Sequence, residues 1–236
     1  MLGGLISYAL LAALATALLV AAITDLRRRE IDNWLNAAIA LAAPLYWLAA
    51  ELDWVAVAFQ VALALVTFVA ACTLYAMRQM GGGDVKLLSA LALWFVPGSF
   101  VQLIVIMGMI GGAASIAMAV FNMRRVPGEI WRDGLSTVVA TLWVLGACAL
   151  LYTAATGRPV IPAQSAQTLA SAARAGWPTA LVALALLGLF ALGLSHIFRR
   201  QRGAIPIPYG VAISAGGLWV LAQNTAYGPF FNGLHG

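Results

Sequence analysis

The chain has 236 residues, of which 63% are hydrophobic and only 9% charged, with a formal net charge of +5. That balance excludes a soluble globular domain and marks a polytopic membrane protein. The basic residues fall in short clusters between apolar runs, as membrane anchors do, which argues against a nucleic-acid partner.

In chain order, apolar runs near the roughly 20 residues needed to span a bilayer lie at about 4–24, 33–50, 54–77, 101–122, 135–156, 179–198 and 208–226. A shorter run lies at about 85–97. No Lys or Arg precedes Met1–Thr24 and three Arg follow it, so it reads as a retained first helix with its N-terminus outside rather than as a cleaved signal.

If all eight runs cross, eleven basic residues (Arg27, Arg28, Arg29, Arg78, Lys86, Arg124, Arg125, Arg132, Arg199, Arg200 and Arg202) lie inside, and Arg158 and Arg174 outside. That split follows the positive-inside bias. A re-entrant 85–97 run would send Arg124, Arg125 and Arg132 to the outer face, so a short crossing turning at Pro97-Gly98-Ser99 is expected.

The expected fold is therefore all-α with about eight transmembrane helices, or six or seven if the shorter runs fail to cross. One membrane domain, 1–236, is divided into core helices at 1–123, extra helices and an external linker at 124–200, and a C-terminal helix at 201–236. The polar stretch at about 157–178 reads as that linker. Cys72 and Cys148 both sit in apolar runs with no Cys/His ligand spacing, so no metal, disulfide framework or cofactor is expected.

Two segments carry candidate chemistry. The first, Thr24-Asp25-Leu26-Arg27-Arg28-Arg29-Glu30-Ile31-Asp32-Asn33, ends the first helix. The second, Gly81-Gly82-Gly83-Asp84-Val85-Lys86, opens the short run. Two crossings separate them, so both aspartates reach the same membrane face, and an ionisable group at a membrane boundary marks a functional site by default. Two carboxylates sharing a site hold one proton between them, the condition under which one activates water and the other polarises a peptide carbonyl. Glycines beside Asp84 let backbone approach a substrate closely. The plainer alternatives are an N-cap role for Asp84 and pairing of Asp25 with the nearby arginines.

The Asp-Leu-Arg…Ile-x-Asn segment at 25–33 and the Gly-x-Gly-Asp-Val-Lys segment at 81–86 resemble the two signatures of type IV prepilin peptidases, polytopic GxGD aspartic proteases of bacteria and archaea. Ile207-Pro208-Tyr209-Gly210-Val211-Ala212-Ile213 is similar to the PYGVAI segment of the short members serving tight-adherence pili. The resemblance implies catalytic roles for Asp25 and Asp84, and Gly81, Gly82, Gly83, Lys86, Pro208, Tyr209 and Gly210 are expected at the substrate. It also implies cleavage of a basic prepilin leader at the cytoplasmic face of the bacterial inner membrane. Asp32 stands where the family usually has proline, so the loop turns differently or bears an extra charge. The paired CxxC domain of the larger, methylating members is lacking, and methyl transfer is not implied. Residues 124–200 have no assigned role.

Among smaller features, Arg27, Arg28, Arg29, Arg78 and Lys86 are placed to surround the aspartates. Gly108, Gly111 and Gly112 read as helix packing. Pro206, Pro208 and Gly210 enter the last helix, with backbone left for a substrate strand or simply as a helix start. His196 reads as structural, and Trp47, Trp54, Trp94 and Trp177 as interfacial belt residues. A different class, an ion- or proton-coupled transporter using Asp25 and Asp84, predicts discontinuous helices in two related halves. No second-half counterpart of the glycine-aspartate segment is present.

Overall fold

A computed structural model describes residues 2–126, 128–158, 160, 163–173, 176–203 and 209–227. Among them the chain is helical throughout, with no strand. The elements are α1 (Leu2–Arg28), α2 (Asn33–Ala49), α3 (Trp54–Ala76), α4 (Gly82–Ala92), α5 (Pro97–Phe121), α6 (Ile130–Thr156), α7 (Ala163–Ala173), α8 (Trp177–Arg199) and α9 (Tyr209–Tyr227).

The all-α expectation therefore holds. Five helices, α1, α3, α5, α6 and α8, are long and apolar enough to cross a membrane by length and composition. The expected short run is α4, whose 11 residues extend about 16 Å, half of a bilayer's hydrocarbon core. The stretch expected to be only linker contains α7.

The chain divides into two compact units, residues 1–111 with 208–236, and residues 112–207, the boundary falling inside α5. In the first unit α4 packs against α2, α3 and α9, and α1 against α2 and α9. The reason is burial: Val85, Leu87, Leu88, Ala90, Leu91 and Ala92 give α4 an apolar surface on most sides, which suits a helix enclosed by protein. Leu87 and Leu91 are fully buried beside Leu18, Leu103 and Ile213.

Two of the expected belt tryptophans belong to this interior instead. Trp94 is 1% exposed, stacks on Tyr46 at 5.2 Å and donates its indole N–H to the Ile39 carbonyl at 2.9 Å. Trp47 donates to Gln60 Oε1 and the Leu93 carbonyl, both at 2.8 Å. An indole buried in protein needs such partners, and the carbonyls after α4 and along α2 supply them. Trp54 and Trp177 are highly exposed, as an interfacial position requires.

Helix ends are sharply set. Glu51 and Arg78, at φ +54° and +58°, stop α2 and α3 in the left-handed region, and Leu52 and Gln79 donate back five residues to the Trp47 and Leu74 carbonyls, as in a Schellman closure. Arg29, at φ +58°, ends α1 similarly. Of the three glycines read as packing, Gly111 lies against the Tyr209 ring and Ala212, whereas Gly108 and Gly112 face open space.

In the second unit α6 packs on α8, where Gly193 faces Val139 closely, a Cβ there falling 3.2 Å from Val139 Cγ1. Ile116, Ala119, Met123, Ala140 and Ile197 form its small core. Gln201 donates to the Ala119 and Ile197 carbonyls, and Arg124 N–H to the Arg200 carbonyl, tying the end of α8 to the end of α5.

A left-handed non-glycine residue costs about 1–2 kcal/mol. Glu51→Gly is therefore expected to raise stability by about 1 kcal/mol, read as a higher unfolding temperature of the detergent-solubilised protein.

Candidate active site

The loop that follows α1 and the starts of α4 and α9 meet in the first unit. Each of these two helix starts leaves backbone N–H groups without intrahelical acceptors, and a carboxylate answers at both. Asp84, in the first turn of α4, reaches back so that Oδ2 accepts the Gly81 N–H at 3.2 Å, half of a capping box. Asp25, in the last turn of α1, accepts the Val211 N–H on Oδ2 at 3.1 Å, with a further backbone bond from Gly210. The two aspartates are 6% and 8% exposed.

Both expected catalytic residues are thus brought together from segments far apart in the chain. They sense one another. Asp84 lies outside the five long apolar helices, and its carboxyl is pushed up to about 6, first by burial and second by the charge of Asp25, against the opposing Gly81 bond. Arg29 acts electrostatically on Asp25. Lys86 turns elsewhere: its ammonium is exposed and donates to Asn33 Oδ1 at 2.7 Å, linking the two signature segments.

The expected substrate glycines have distinct surroundings. A Cβ at Gly210 would fall 2.8 Å from Asp25 Oδ2 and 2.7 Å from the Ile31 side chain, so the carboxylate can seat on α9 only over a glycine. A Cβ at Gly83 would fall 3.2 Å from Ile31 Cβ and 3.4 Å from its backbone nitrogen. Gly81 is placed over the Asp84 carboxylate and Gly82 beside Tyr75. Tyr209 packs its ring toward Gly111. Pro208, like Ile207 and Pro206, lies outside the described residues.

Ile31 is the wedge. Buried, it touches both glycines and so sets the spacing between the starts of α4 and α9. Asp32, next to it, is the N-cap residue of α2 with φ −60° and no side-chain cap bond. That φ is one a proline ring also allows, so the backbone at Asp32 is proline-compatible and the residue adds an acidic group. Asn36, which the sequence reading passed over, donates to the Gly83 carbonyl at 3.3 Å from a buried position. The available signal was a polar residue inside an apolar run. An apolar groove of about 440 Å³ runs between α2, α3 and α4, with Asn36 and Lys86 on its polar wall and Ala40, Ala64, Phe68 and Leu93 among its apolar residues.

The second unit holds a separate polar cluster. His196 is not solitary: its Nε2 lies 2.7 Å from Asp133 Oδ1, and both are largely buried. Glu129 accepts from Arg200 and lies 3.7 Å from Arg132. No group of three or more His, Cys, Asp or Glu side chains suited to a metal exists among the described residues.

Residues 12–116 match the type IV leader peptidase family. The matched stretch includes both aspartates, the glycine run and Lys86, and stops short of α9. No curated protein and no solved structure is significantly similar to the chain. The family resemblance read from the motifs is borne out over this stretch, and it supports a leader-peptidase-like protease in a multi-pass membrane protein. Nothing in it supports a transporter.

Two outcomes follow from the geometry. Gly210→Ala is expected to displace Asp25 and lower activity by at least about tenfold while α9 still forms, since alanine favours helix; peptide cleavage and circular dichroism check this together. The unfolded Asp84 pKa is 3.8 and the folded one about 6, so the stability associated with its protonated form is complete below pH 4 and lost as pH rises through 6. Asp84→Asn, which keeps an oxygen for Gly81, is expected to raise the unfolding temperature at pH 8 and leave it nearly unchanged at pH 4.

Proposed function

We propose that this protein is a membrane aspartic endopeptidase that removes the basic leader of type IV prepilin-like proteins at the cytoplasmic face of the bacterial inner membrane. The observation that carries the reading is the joint burial of Asp25 and Asp84, each held on a helix start, with the charge of one raising the other.

In the mechanism, Asp84 is the protonated partner and polarises the scissile carbonyl, while Asp25 takes a proton from water. The water oxygen adds to the carbonyl carbon, the C–N bond breaks, and the departing amine takes a proton from the dyad. No covalent intermediate forms, and the two acids exchange roles during the cycle. A helical peptide keeps its carbonyls hydrogen-bonded, so the substrate unwinds at the cleavage point. Gly81, Gly82 and Gly83 give its backbone access beside Asp84.

Two features support a basic leader followed by an apolar segment. Glu30 and Asp32 stand in the same loop as Ile31 and offset part of the positive charge of Arg27, Arg28 and Arg29 on the leader's approach, which gives the acid at the family's proline position a use. The groove between α2, α3 and α4 is walled by small and apolar side chains and suits the apolar segment. In the orientation this function needs, the N-terminus is outside, eight runs cross, and α4 is enclosed by α2, α3 and α9 rather than by lipid.

Asp25→Asn and Asp84→Asn are each expected to lower leader cleavage about 10²–10⁴-fold, measured on prepilin processed in membranes containing well-inserted enzyme. Normal cleavage by either variant refutes the dyad. Cleavage by the wild type is expected to fall as pH rises above about 6, because the dyad then loses the shared proton. With Cys72 and Cys148 replaced, cysteines introduced at Glu30 and Gln79 are expected to resist a reagent confined to the outside. Labelling there puts the site on the wrong face.

A further inference from the structure

The charge of the protein is unevenly divided. Residues 112–207 hold eight arginines against two acids, Glu129 and Asp133, a formal +6, while the rest hold five basic and six acidic groups, a formal −1. The excess is gathered where α6 begins and α8 ends.

There a cleft of about 450 Å³ has two kinds of wall. Arg132, Arg199 and Arg200 line its polar end, and Leu135, Leu189 and Leu192 continue it along the helices as an apolar wall. Those leucines are 47%, 40% and 69% exposed. The acids do not neutralise the arginines: Glu129 is shared between Arg200 and Arg132, and the Asp133 carboxylate lies on His196. Arg200 Nη1 is buried with no acceptor among the described residues, a demand that a phosphate oxygen meets on a small side-chain shift.

We infer that this cleft binds an anionic phospholipid, with its phosphate at Arg132, Arg199 and Arg200 and an acyl chain along Leu135, Leu189 and Leu192. Guanidinium forks match phosphate geometry, and the adjoining apolar wall favours a chain-bearing phosphate over a free one. The site is independent of the peptidase reading, because none of its residues belongs to the aspartate cluster.

The test uses the purified full-length protein in neutral detergent, titrated with palmitoyl-oleoyl phosphatidylglycerol or palmitoyl-oleoyl phosphatidylcholine and read by native mass spectrometry. Retention of phosphatidylglycerol in preference to phosphatidylcholine is expected. Near-surface arginines contribute about fivefold each to anionic-lipid affinity, so the Arg132→Ala/Arg199→Ala pair is expected to weaken phosphatidylglycerol binding roughly thirtyfold. Leu192→Trp, which narrows the apolar wall with every arginine in place, is expected to weaken it as well. Should the arginine pair fail to yield monodisperse protein, Leu192→Trp decides by the same readout. Equal retention of the two lipids, retention unchanged in the variants, or displacement by an equal concentration of inorganic phosphate overturns the proposal.

Discussion

A helix that begins inside a membrane-embedded unit exposes backbone N–H groups to surroundings that cannot hydrate them. In the first unit two helices start this way, α4 at Gly82 and α9 at Tyr209, and each is answered by a buried carboxylate. Asp84 caps the start of its own helix, and Asp25 crosses from the end of α1 to the start of α9. The fold of this unit depends on those two bonds, because they fix where two helices begin relative to a third that ends. In the proposed enzyme the capping and catalytic readings of Asp84 are then one arrangement. The N–H bond orients the carboxyl, while burial and the neighbouring acid hold its proton.

Glycine placement follows from the same constraint. Seating Asp25 on α9 leaves no space for a Cβ at position 210, and wedging Ile31 between the helix starts leaves little at position 83. These are steric demands set by close approach, and they explain why glycines in two distant segments accompany the aspartates. Asp32 shows the converse: its backbone takes a proline-compatible φ without a ring, since the turn is held by Ile31 on one side and by the Leu35 and Asn36 N–H bonds to the Asp32 carbonyl on the other.

Much of this was legible in the sequence. The helical class follows from apolar run lengths, and the aspartates stand out because charged groups are scarce there. The glycine-aspartate segment and the tyrosine-glycine segment of the last helix announce the two helix starts. Tertiary partners were not legible. Trp94 and Trp47 sit near run ends as interfacial tryptophans do, and only packing against Tyr46 and Gln60 shows that they are interior. Asn36 and Ile31 look ordinary until the Gly83 backbone is placed beside them. Asp133 and His196, 63 residues apart, share no spacing that would pair them. The helix at 163–173 carries five Ala, two Ser and two Gln, a composition that linker and helix share.

Polar groups in the two units are organised around opposite signs. In the first unit, acids meet backbone N–H groups, basic and acidic side chains nearly cancel, and the one lysine is bonded to an asparagine. In residues 112–207 arginines outnumber acids, and the two acids present are shared or already paired. The whole-chain charge of +5 therefore conceals a slightly acidic first unit and a strongly basic second one. The excess positive charge of residues 112–207 is suited to holding an anionic membrane surface.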